Sequence, residues 1–261
     1  MPLISHEIPK DLFPIHDLIN DYPYVLGHLL NLDKEYADFY KRKLETAPFS
    51  ILDNSAFELG KSIPFQELYD LSKEYKPTHL VLPDVVNDYN QTINNANEYL
   101  KEFREEDIKY IGVCQGDTFE QIADCIDLYT MHRVDIIALP FDLIKDADYV
   151  TVRDRFFKWW IKKFYTVDPE YYRNVKFHLL GCENPIEFAL FKDNFYAEQL
   201  INSLDTSSPI INGWLGTKFT EDGLLGGKPK AKLADNLDII LSKEQLELIS
   251  YNVKKFKEYV K

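Results

Sequence analysis

Cysteine and glycine are scarce in this chain. Only 3 of the 261 residues are cysteine and 10 are glycine. Cys114, Cys125 and Cys182 form no close pair, which argues against a disulfide framework and against a local zinc knuckle. We expect reduced thiols, and loops built from Asn, Asp and Pro rather than from Gly.

The chain also lacks a long apolar run. No stretch approaches the roughly 20 apolar residues that span a bilayer. The stretch Met1 to Lys10 lacks the basic-then-apolar layout of a signal peptide. We therefore expect a cytoplasmic protein with no membrane partner, located in the host cytoplasm if the chain is viral.

Positive charge is outweighed by negative charge. The chain has 30 Lys and Arg against 43 Asp and Glu, giving a net charge of -13. This balance argues against a general nucleic-acid-binding surface, because phosphate contacts are made by Lys and Arg. A local basic patch can still bind nucleic acid on an otherwise acidic protein.

Short apolar runs alternate with longer stretches of helical period. The runs predict eight strands: Tyr24 to Leu30, Phe49 to Leu52, His79 to Leu82, Tyr110 to Cys114, Ile136 to Leu139, Val175 to Leu180, Ile201 to Leu204 and Pro209 to Asn212. Eight strands alternating with helices in about 250 residues match a (β/α)8 barrel better than an open doubly wound sheet. We predict an α/β fold, a single TIM-barrel domain over residues 1–261, with no Pro/Gly/Ser-rich linker and with a C-terminal helix from Ser242 to Tyr259.

Carboxylates follow three of the predicted strands. Asp53, Asp84 and Asp205 each stand at the end of an apolar run, and Gln115 and Gly116 follow another. Since the carboxyl ends of parallel strands meet at one edge, these groups should converge on one mouth. A purine base would fit, because carboxylates accept from its N–H groups while glutamine offers both a donor and an acceptor.

Several motifs resemble those of the tRNA-guanine transglycosylase superfamily. Leu52-Asp53-Asn54-Ser55-Ala56-Phe57-Glu58 resembles the Asp-Ser-Gly-Gly-Phe-Gln segment of the queuine and archaeosine enzymes, and Val113-Cys114-Gln115-Gly116-Asp117 is similar to their Val-Gln-Gly-Gly. Collinear matches lie at Leu82-Pro83-Asp84, Phe177-His178-Leu179-Leu180-Gly181 and Ser203-Leu204-Asp205-Thr206. A run of matches in the family's order is more specific than a single motif.

The chain resembles one branch of that superfamily more than the others. It is shorter than the tRNA enzymes and has no Cys-x-Cys-x2-Cys with a downstream His after Asp205. It is most similar to the compact, zinc-free, phage-type transglycosylases that install 7-deazaguanines into DNA. The resemblance implies no metal and no other cofactor. It implies DNA and a base such as 7-cyano-7-deazaguanine as partners, with a helper protein that opens the duplex as a further one.

The resemblance also implies residue roles. Asp205 would be the nucleophile and Asp53 the general acid/base. Retention of configuration through two inversions would follow, as in retaining glycosidases. The residues that would bind the base, with Leu139 contributing backbone contacts, are Asp84, Gln115, Gly116, Asn54, Ser55 and Leu139.

Two segments are candidates for holding nucleic acid. Residues 153–165 interleave five cations with six aromatics, which suits phosphate contacts and stacking on an unpaired base. The second segment, Gly226 to Lys232, carries three lysines. The predicted contacts are Arg153, Arg155, Lys158, Lys162, Lys228, Lys230 and Lys232. The first segment also fits a simpler interpretation, a packed core face with solvated lysines.

Other functions fit the same residues. The reaction could act on tRNA instead of DNA, water could resolve the intermediate in a hydrolase, or the barrel could be a non-catalytic nucleic-acid-binding homologue. Aspartates after strands are also common as turn and helix-capping residues. Retention of Asp53, Asp84, Gln115 and Asp205 together argues against the non-catalytic homologue.

Overall fold

Eight parallel strands form one sheet in the structure, a computed structural model that describes residues 1–105, 107–192, 195–224, 229 and 231–260. The strands are β1 (Leu3–His6), β2 (Tyr24–Leu26), β3 (Ile51–Asp53), β4 (His79–Val81), β5 (Lys109–Val113), β6 (Ile136–Pro140), β7 (Phe177–Leu180) and β8 (Ile201–Thr206). Their order is β1-β8-β7-β6-β5-β4-β3-β2, with every pair parallel. The predicted α/β fold, a (β/α)8 TIM barrel with a C-terminal helix, is confirmed.

Helices connect the strands. They are α1 (His16–Ile19), α2 (Gly27–Leu32), α3 (Lys34–Leu44), α4 (Ala56–Leu59), α5 (Phe65–Tyr75), α6 (Tyr89–Glu102), α7 (Phe119–Met131), α8 (Val152–Trp160), α9 (Glu187–Lys192), α10 (Phe195–Leu200), α11 (Ser208–Trp214) and α12 (Lys243–Val260). A 3₁₀ segment at Lys10–Ile15 precedes α1, and a π-helical turn at Ile161–Tyr165 follows α8. In the described ranges, no helix combines the length and the apolar character needed to cross a membrane.

The barrel has a seam between β1 and β2. Within the described part of the chain these two strands do not pair. Hydrogen bonds join β1 to the residues just before β2 instead: Ser5 Oγ donates to the Tyr22 carbonyl oxygen at 2.8 Å, Ile4 N donates to Asp21 Oδ2 at 3.0 Å, and Asp21 N donates to the Ile4 carbonyl oxygen at 2.8 Å. These bonds satisfy backbone groups that a strand ladder would otherwise pair, so the barrel is nearly closed.

The two ends of the strand pattern differ from the sequence prediction. The predicted strand Pro209–Asn212 is wrong, because it lies inside α11, where Pro209 occupies the first turn and its fixed φ suits a helix start. The true first strand is Leu3–His6, which apolar-run length does not predict because Ser5 and His6 interrupt the run. The predicted strand Tyr24–Leu30 also ends early, at Leu26.

The C-terminal helix closes the chain onto α11. Ser242 caps α12: its Oγ accepts from Gln245 N at 3.3 Å, and its N–H donates to Gln245 Oε1 at 2.8 Å. A β-carbon on Gly213 would lie 2.5 Å from Ile249 Cγ1, so only glycine lets the two helices approach this closely.

Gly112 in β5 gives a stability test of the barrel packing. A β-carbon there would lie 2.5–2.6 Å from ring atoms of Tyr129, whose hydroxyl donates to the Val113 carbonyl oxygen at 2.8 Å. We expect Gly112→Ala to lower the free energy of unfolding by about 1–3 kcal/mol, because the ring must move out of its site. Urea denaturation measures this effect. Lys109→Ala, at the exposed start of the same strand, should change stability by less than about 0.5 kcal/mol, and equal effects of the two substitutions would contradict the packing interpretation.

Candidate active site

Three aspartates line one pocket at the carboxyl edge of the barrel. Asp53 is the last residue of β3, Asp84 lies three residues beyond β4, and Asp205 lies in β8. Gln115, two residues beyond β5, lines the same pocket. The empty space of the pocket and its open mouth together is about 720 Å³. These four residues therefore lie around one pocket, as the sequence predicts for their positions.

Asp53 is buried and accepts two hydrogen bonds. Tyr24 Oη donates to Oδ1 at 2.8 Å, and Ser55 N donates to Oδ2 at 2.7 Å. Ser55 adopts the left-handed conformation, with φ 62° and ψ 24°, and this turn directs its N–H to Asp53. Burial raises the pKa of Asp53 to about 7, and repulsion from Asp205 and Asp84 adds to the effect of burial. A carboxyl group with a pKa near neutrality is suited to give and take a proton.

Asp84 is held by two amides. Asn54 Nδ2 donates to its Oδ1 and Gln115 Nε2 to its Oδ2, both at 2.7 Å. Gln115 is itself oriented by Asn87 N, which donates to Gln115 Oε1 at 3.1 Å. Burial raises the pKa of Asp84 to about 6, although the two amides favour the charged form.

Asp205 is fixed by β7 and the turn after it. His178 Nε2 lies 3.0 Å from Asp205 Oδ1, and His178 Nδ1 lies 2.9 Å from Ser203 Oγ. Gly181 N donates to both carboxylate oxygens, at 3.2 and 3.3 Å. Gly181 has a φ of +65°, the left-handed region that favours glycine. The carboxylate of Asp205 is thereby fixed in orientation while it still lines the pocket.

Negative charge dominates the pocket wall. Of the described residues, seven carboxylates and no Lys, Arg or His line it. Burial, with repulsion from Glu7 and Asp53, raises the pKa of Glu58 to about 8. Three aromatic rings line the wall: Tyr24, and the pair Phe57 and Phe141, which make an edge-to-face contact with ring centres 5.8 Å apart. Such a wall disfavours a phosphate deep in the pocket and favours a flat, neutral or cationic group.

No metal centre is found in the described ranges: no group of three or more His, Cys, Asp or Glu side chains is placed to hold an ion. In the pocket, the carboxyl groups of Asp53 and Asp84 accept hydrogen bonds from two amides, a hydroxyl and a backbone N–H group.

The other residues predicted to bind the base take supporting positions. Asn54 lines the pocket, but its amide hydrogens go to Asp84 and to the Leu82 carbonyl oxygen, the latter at 2.6 Å. Its contribution is to orient Asp84. Gly116 is buried where a β-carbon would lie 2.8 Å from Gln121 Cβ, so it permits close packing of the turn.

The predicted backbone contact from Leu139 is wrong in this arrangement. Leu139 is fully buried and is not part of the pocket wall, whereas its neighbours Pro140 and Phe141 are. Its carbonyl oxygen accepts from Arg153 Nη1 at 3.0 Å. Ser55 likewise does not line the pocket and acts through its hydrogen bond to Asp53.

The predicted contact of Arg153 with nucleic acid is also wrong. Arg153 is 0% exposed and forms a bidentate ion pair with Glu187, with N–O distances of 2.6 and 2.5 Å. Its Nη1 also donates to the carbonyl oxygens of Leu139 and Leu180. A guanidinium committed in this way has no surface to offer a phosphate; it joins the carboxyl ends of β6 and β7 instead.

The rest of the aromatic and basic segment divides by face. Phe156, Phe157 and Trp160 are fully buried, so the aromatics belong mainly to the core, as in the simpler interpretation. Arg155, Lys158 and Lys162 are exposed, with Lys158 paired to Asp154 at 2.8 Å. A nucleic-acid role for these three cations stays a prediction.

Of the second candidate segment, Lys232 lies within the described residues, whereas Lys228 and Lys230 lie outside them. Lys232 is exposed at the mouth, with Nζ 5.2 Å from the centre of the Phe57 ring and 3.2 Å from the Glu58 carbonyl oxygen.

Sequence reasoning missed Tyr24 as a member of the site. Tyr24 lies in β2, 29 positions before its partner Asp53, and only the β2–β3 register brings the two together. His178 is a second such residue: both of its ring nitrogens have partners, and one of these partners is Asp205. The β7–β8 register, which pairs His178 with Ser203, sets that contact.

The fold and site together define a (β/α)8 barrel with an acidic pocket at the carboxyl edge of its strands. No protein-family model matches the chain, and no curated protein matches it either. Two similar solved structures are N-acetylneuraminate lyase from Mycoplasma synoviae and triosephosphate isomerase from Bartonella henselae. The lyase is 12% identical with a TM-score of 0.48, covering 99% of this chain and 81% of the lyase chain. The isomerase is 12% identical with a TM-score of 0.39, covering 79% of this chain and 92% of the isomerase chain. Similarity at this level says nothing about what this chain acts on.

The raised pKa of Asp53 predicts a pH-dependent cost to stability. The folded chain keeps the Asp53 proton up to about pH 7, whereas the unfolded chain loses it near the ordinary value of 3.8. Stability should therefore fall as pH rises between these two values. We expect Asp53→Asn, which cannot ionise, to raise the free energy of unfolding on the order of 2 kcal/mol more at about pH 8 than at about pH 5.5. Urea denaturation at both pH values measures the difference, and a pH-independent effect would contradict the assigned pKa.

The buried position of Arg153 predicts a structural phenotype. Arg153→Gln leaves the Glu187 charge buried without its partner, so we expect a loss of about 3–5 kcal/mol in the free energy of unfolding. Arg155→Gln, two positions away on the exposed side of α8, is the matched control and should cost less than about 0.5 kcal/mol. Thermal or urea unfolding of both variants decides the matter; similar stabilities would show that the ion pair does not hold the strand ends.

Proposed function

We propose that this protein is a transglycosylase that exchanges guanine in DNA for a 7-deazaguanine base through a covalent aspartyl-glycosyl intermediate. One observation carries the proposal: Asp53 and Asp205 line a single pocket with the Asp84–Gln115 pair. The two carboxyl groups have different environments, since Asp53 has a pKa near 7 while Asp205 is held by His178 and Gly181. Different environments for two carboxyl groups are typical of a nucleophile and an acid/base pair.

The first half of the reaction would form the covalent intermediate. An Asp205 oxygen attacks C1′ of the nucleoside, and the C1′–N9 bond breaks with its electron pair going to the base. Protonated Asp53 gives its proton to the departing guanine, which leaves as a neutral molecule. A pKa near 7 keeps a large fraction of Asp53 protonated at neutral pH.

The second half would reverse these steps with a different base. The entering 7-deazaguanine loses its N9 proton to the Asp53 carboxylate, and N9 then attacks C1′ and releases Asp205. Two inversions give net retention at C1′. The proton that Asp53 gave in the first half returns in the second, so no other co-reactant is required.

Base recognition would fall to Asp84 and Gln115. Each Asp84 oxygen accepts one hydrogen bond from a protein amide and keeps a further lone pair for the base. Gln115 lines the pocket, and its Nε2 has one further hydrogen and its Oε1 one further lone pair to offer a base. A purine edge that offers N–H donors beside acceptors matches this set.

The local backbone adds support to the resemblance. Ser55 occupies the left-handed region at a position where the transglycosylase motif carries glycine, the residue that this conformation favours. The chain therefore has the turn geometry that the family's glycine would allow, although a different residue stands there.

The polymer would lie outside the deep pocket. The acidic wall disfavours phosphates within it, so the cations that contact the backbone must lie at or beyond the mouth. Lys232 stands at the mouth, and Arg155, Lys158 and Lys162 are exposed on α8 and the π-helical turn after it. DNA is the proposed polymer because the chain resembles the compact, zinc-free branch, and tRNA is the competing substrate.

Trapping the intermediate tests the proposal. The protein is incubated with duplex DNA, single-stranded DNA or tRNA without an entering base, and covalent adducts are sought on denaturing gels. Base exchange is followed separately as release of labelled guanine in the presence of 7-cyano-7-deazaguanine. We expect an adduct with DNA, and a loss of base exchange by roughly three orders of magnitude or more in Asp205→Asn. Asp117→Asn, an exposed aspartate next to the Gln115–Gly116 turn, is the matched control and should remain active.

Each alternative has its own result in the same experiment. Exchange with tRNA alone would make tRNA the substrate, and abasic sites without exchange would make the protein a hydrolase. An adduct that persists in Asp205→Asn would remove Asp205 as the nucleophile. Absence of adduct and of exchange with every polymer would overturn the proposed function.

A further inference from the structure

Tyr24 contacts Asp53 directly and is linked to Asp205 through His178. Its hydroxyl donates to Asp53 Oδ1 at 2.8 Å. Its ring lies parallel to the His178 ring, with centroids 5.9 Å apart and an interplanar angle of 9°. His178 in turn contacts Asp205 at 3.0 Å. A single buried side chain therefore connects the group proposed as acid/base with the residue that holds the proposed nucleophile.

The hydroxyl of Tyr24 gives Asp53 a second hydrogen bond from outside its own turn. Ser55 N fixes Oδ2 of Asp53 from within the same turn, and one hydrogen bond leaves a carboxyl group free to rotate about it. Tyr24 reaches Oδ1 from the neighbouring strand. Two donors from two separate elements determine the plane of the carboxyl group.

The ring of Tyr24 is itself held rigidly. Tyr24 is 5% exposed, and the imidazole beside it is anchored at both nitrogens, by Ser203 and by Asp205. Parallel aromatic rings at a centroid distance of this size form a favourable offset stack. The stack thus lies between the hydrogen bond to Asp53 and the hydrogen bond to Asp205.

We propose that Tyr24 is a positioning residue, which fixes the plane of the Asp53 carboxyl group and, through its stacked contact with His178, sets the spacing between Asp53 and Asp205. This inference rests on the proposed acid/base role of Asp53. Tyr24 itself transfers no proton and forms no covalent bond.

The charge environment of Asp53 comes from several elements. The titratable groups that act on it come from β2, α4, the loop after β4, and β8, and they are Tyr24, Glu58, Asp84 and Asp205. Asp84 and Asp205 raise the pKa of Asp53, and Asp53 raises the pKa of Glu58. The Tyr24 hydrogen bond lowers the pKa of Asp53 by stabilising its charged form. Removing the hydroxyl should therefore move the pKa of Asp53 above its value of about 7.

The pH dependence of the variant separates positioning from general damage. Formation of the glycosyl intermediate needs protonated Asp53, so its rate falls as pH rises through the Asp53 pKa. In Tyr24→Phe this fall should move to higher pH, and the rate below it should drop roughly 10- to 100-fold because the carboxyl group is no longer fixed. A substitution that only loosened the fold would lower the rate without changing the pH at which the rate falls.

Two measurements on the full chain test the inference. Single-turnover release of labelled guanine is followed against pH, and the Asp53 carboxyl group is titrated by ¹³C NMR, assigned with Asp53→Asn. Tyr129→Phe is the matched control, since it also loses a buried tyrosine hydroxyl, one that donates to the Val113 carbonyl oxygen at 2.8 Å. We expect Tyr24→Phe to shift both curves upward in pH and Tyr129→Phe to shift neither.

The outcomes separate this inference from the proposed function. An active wild-type protein with unshifted curves in Tyr24→Phe would overturn the role of Tyr24 and leave base exchange intact. A wild-type protein that exchanges no base would overturn the proposed function. In that case the NMR titration still decides whether Tyr24 holds Asp53: an unmoved titration in Tyr24→Phe overturns that contact, and an upward shift supports it.

Discussion

Buried carboxyl groups that face one another repel, and the site of this protein is organised around that constraint. Asp53, Asp84 and Asp205 share one pocket whose wall carries no cation among the described residues. Burial and mutual repulsion raise the pKa of Asp53 to about 7 and burial that of Asp84 to about 6. Donors other than Lys or Arg stabilise the three groups: a tyrosine hydroxyl, two amides, an imidazole and backbone N–H groups. Such donors orient the carboxyl groups without adding the positive charge of a Lys or Arg side chain.

A buried ion pair holds the strand ends next to these donors. Arg153, paired with Glu187, donates to the carbonyl oxygens of Leu139 and Leu180 at the ends of β6 and β7. Leu180 immediately precedes Gly181, whose N–H contacts Asp205. The buried ion pair therefore fixes the strand ends that carry part of the pocket. The guanidinium of Arg153 holds backbone carbonyl groups in place, which explains why a residue in a basic, aromatic segment is buried and not part of a binding surface.

Much of the fold follows from local pattern. Buried strands such as His79–Val81 and Ile136–Pro140 are continuous apolar runs, and the sequence marks them because both faces of a parallel strand are covered. The seam strand Leu3–His6 escapes that pattern, since two of its four residues are polar: Ser5 donates to the Tyr22 carbonyl oxygen, and the His6 ring contacts Asn20 Oδ1. The helix at Ser208–Trp214 escapes it too, because its apolar residues pack against α12 and read as a strand in isolation. Both errors concern segments at the two ends of the strand series, β1 before the first βα unit and α11 after the last strand. Tertiary contacts replace the regular βα repeat there.

The sequence by itself determined the barrel class and the four polar residues that meet at its mouth, because a residue that follows a buried parallel strand can only lie at one edge of the sheet. Only the tertiary structure decided which side chains hold those residues. Tyr24 and His178 reach Asp53 and Asp205 across strand registers, and Arg153 lies inside instead of facing a phosphate. The periodicity of a segment specifies which face is apolar. It does not specify what a long polar side chain meets on the other side of the barrel, since that depends on distances set by distant parts of the chain.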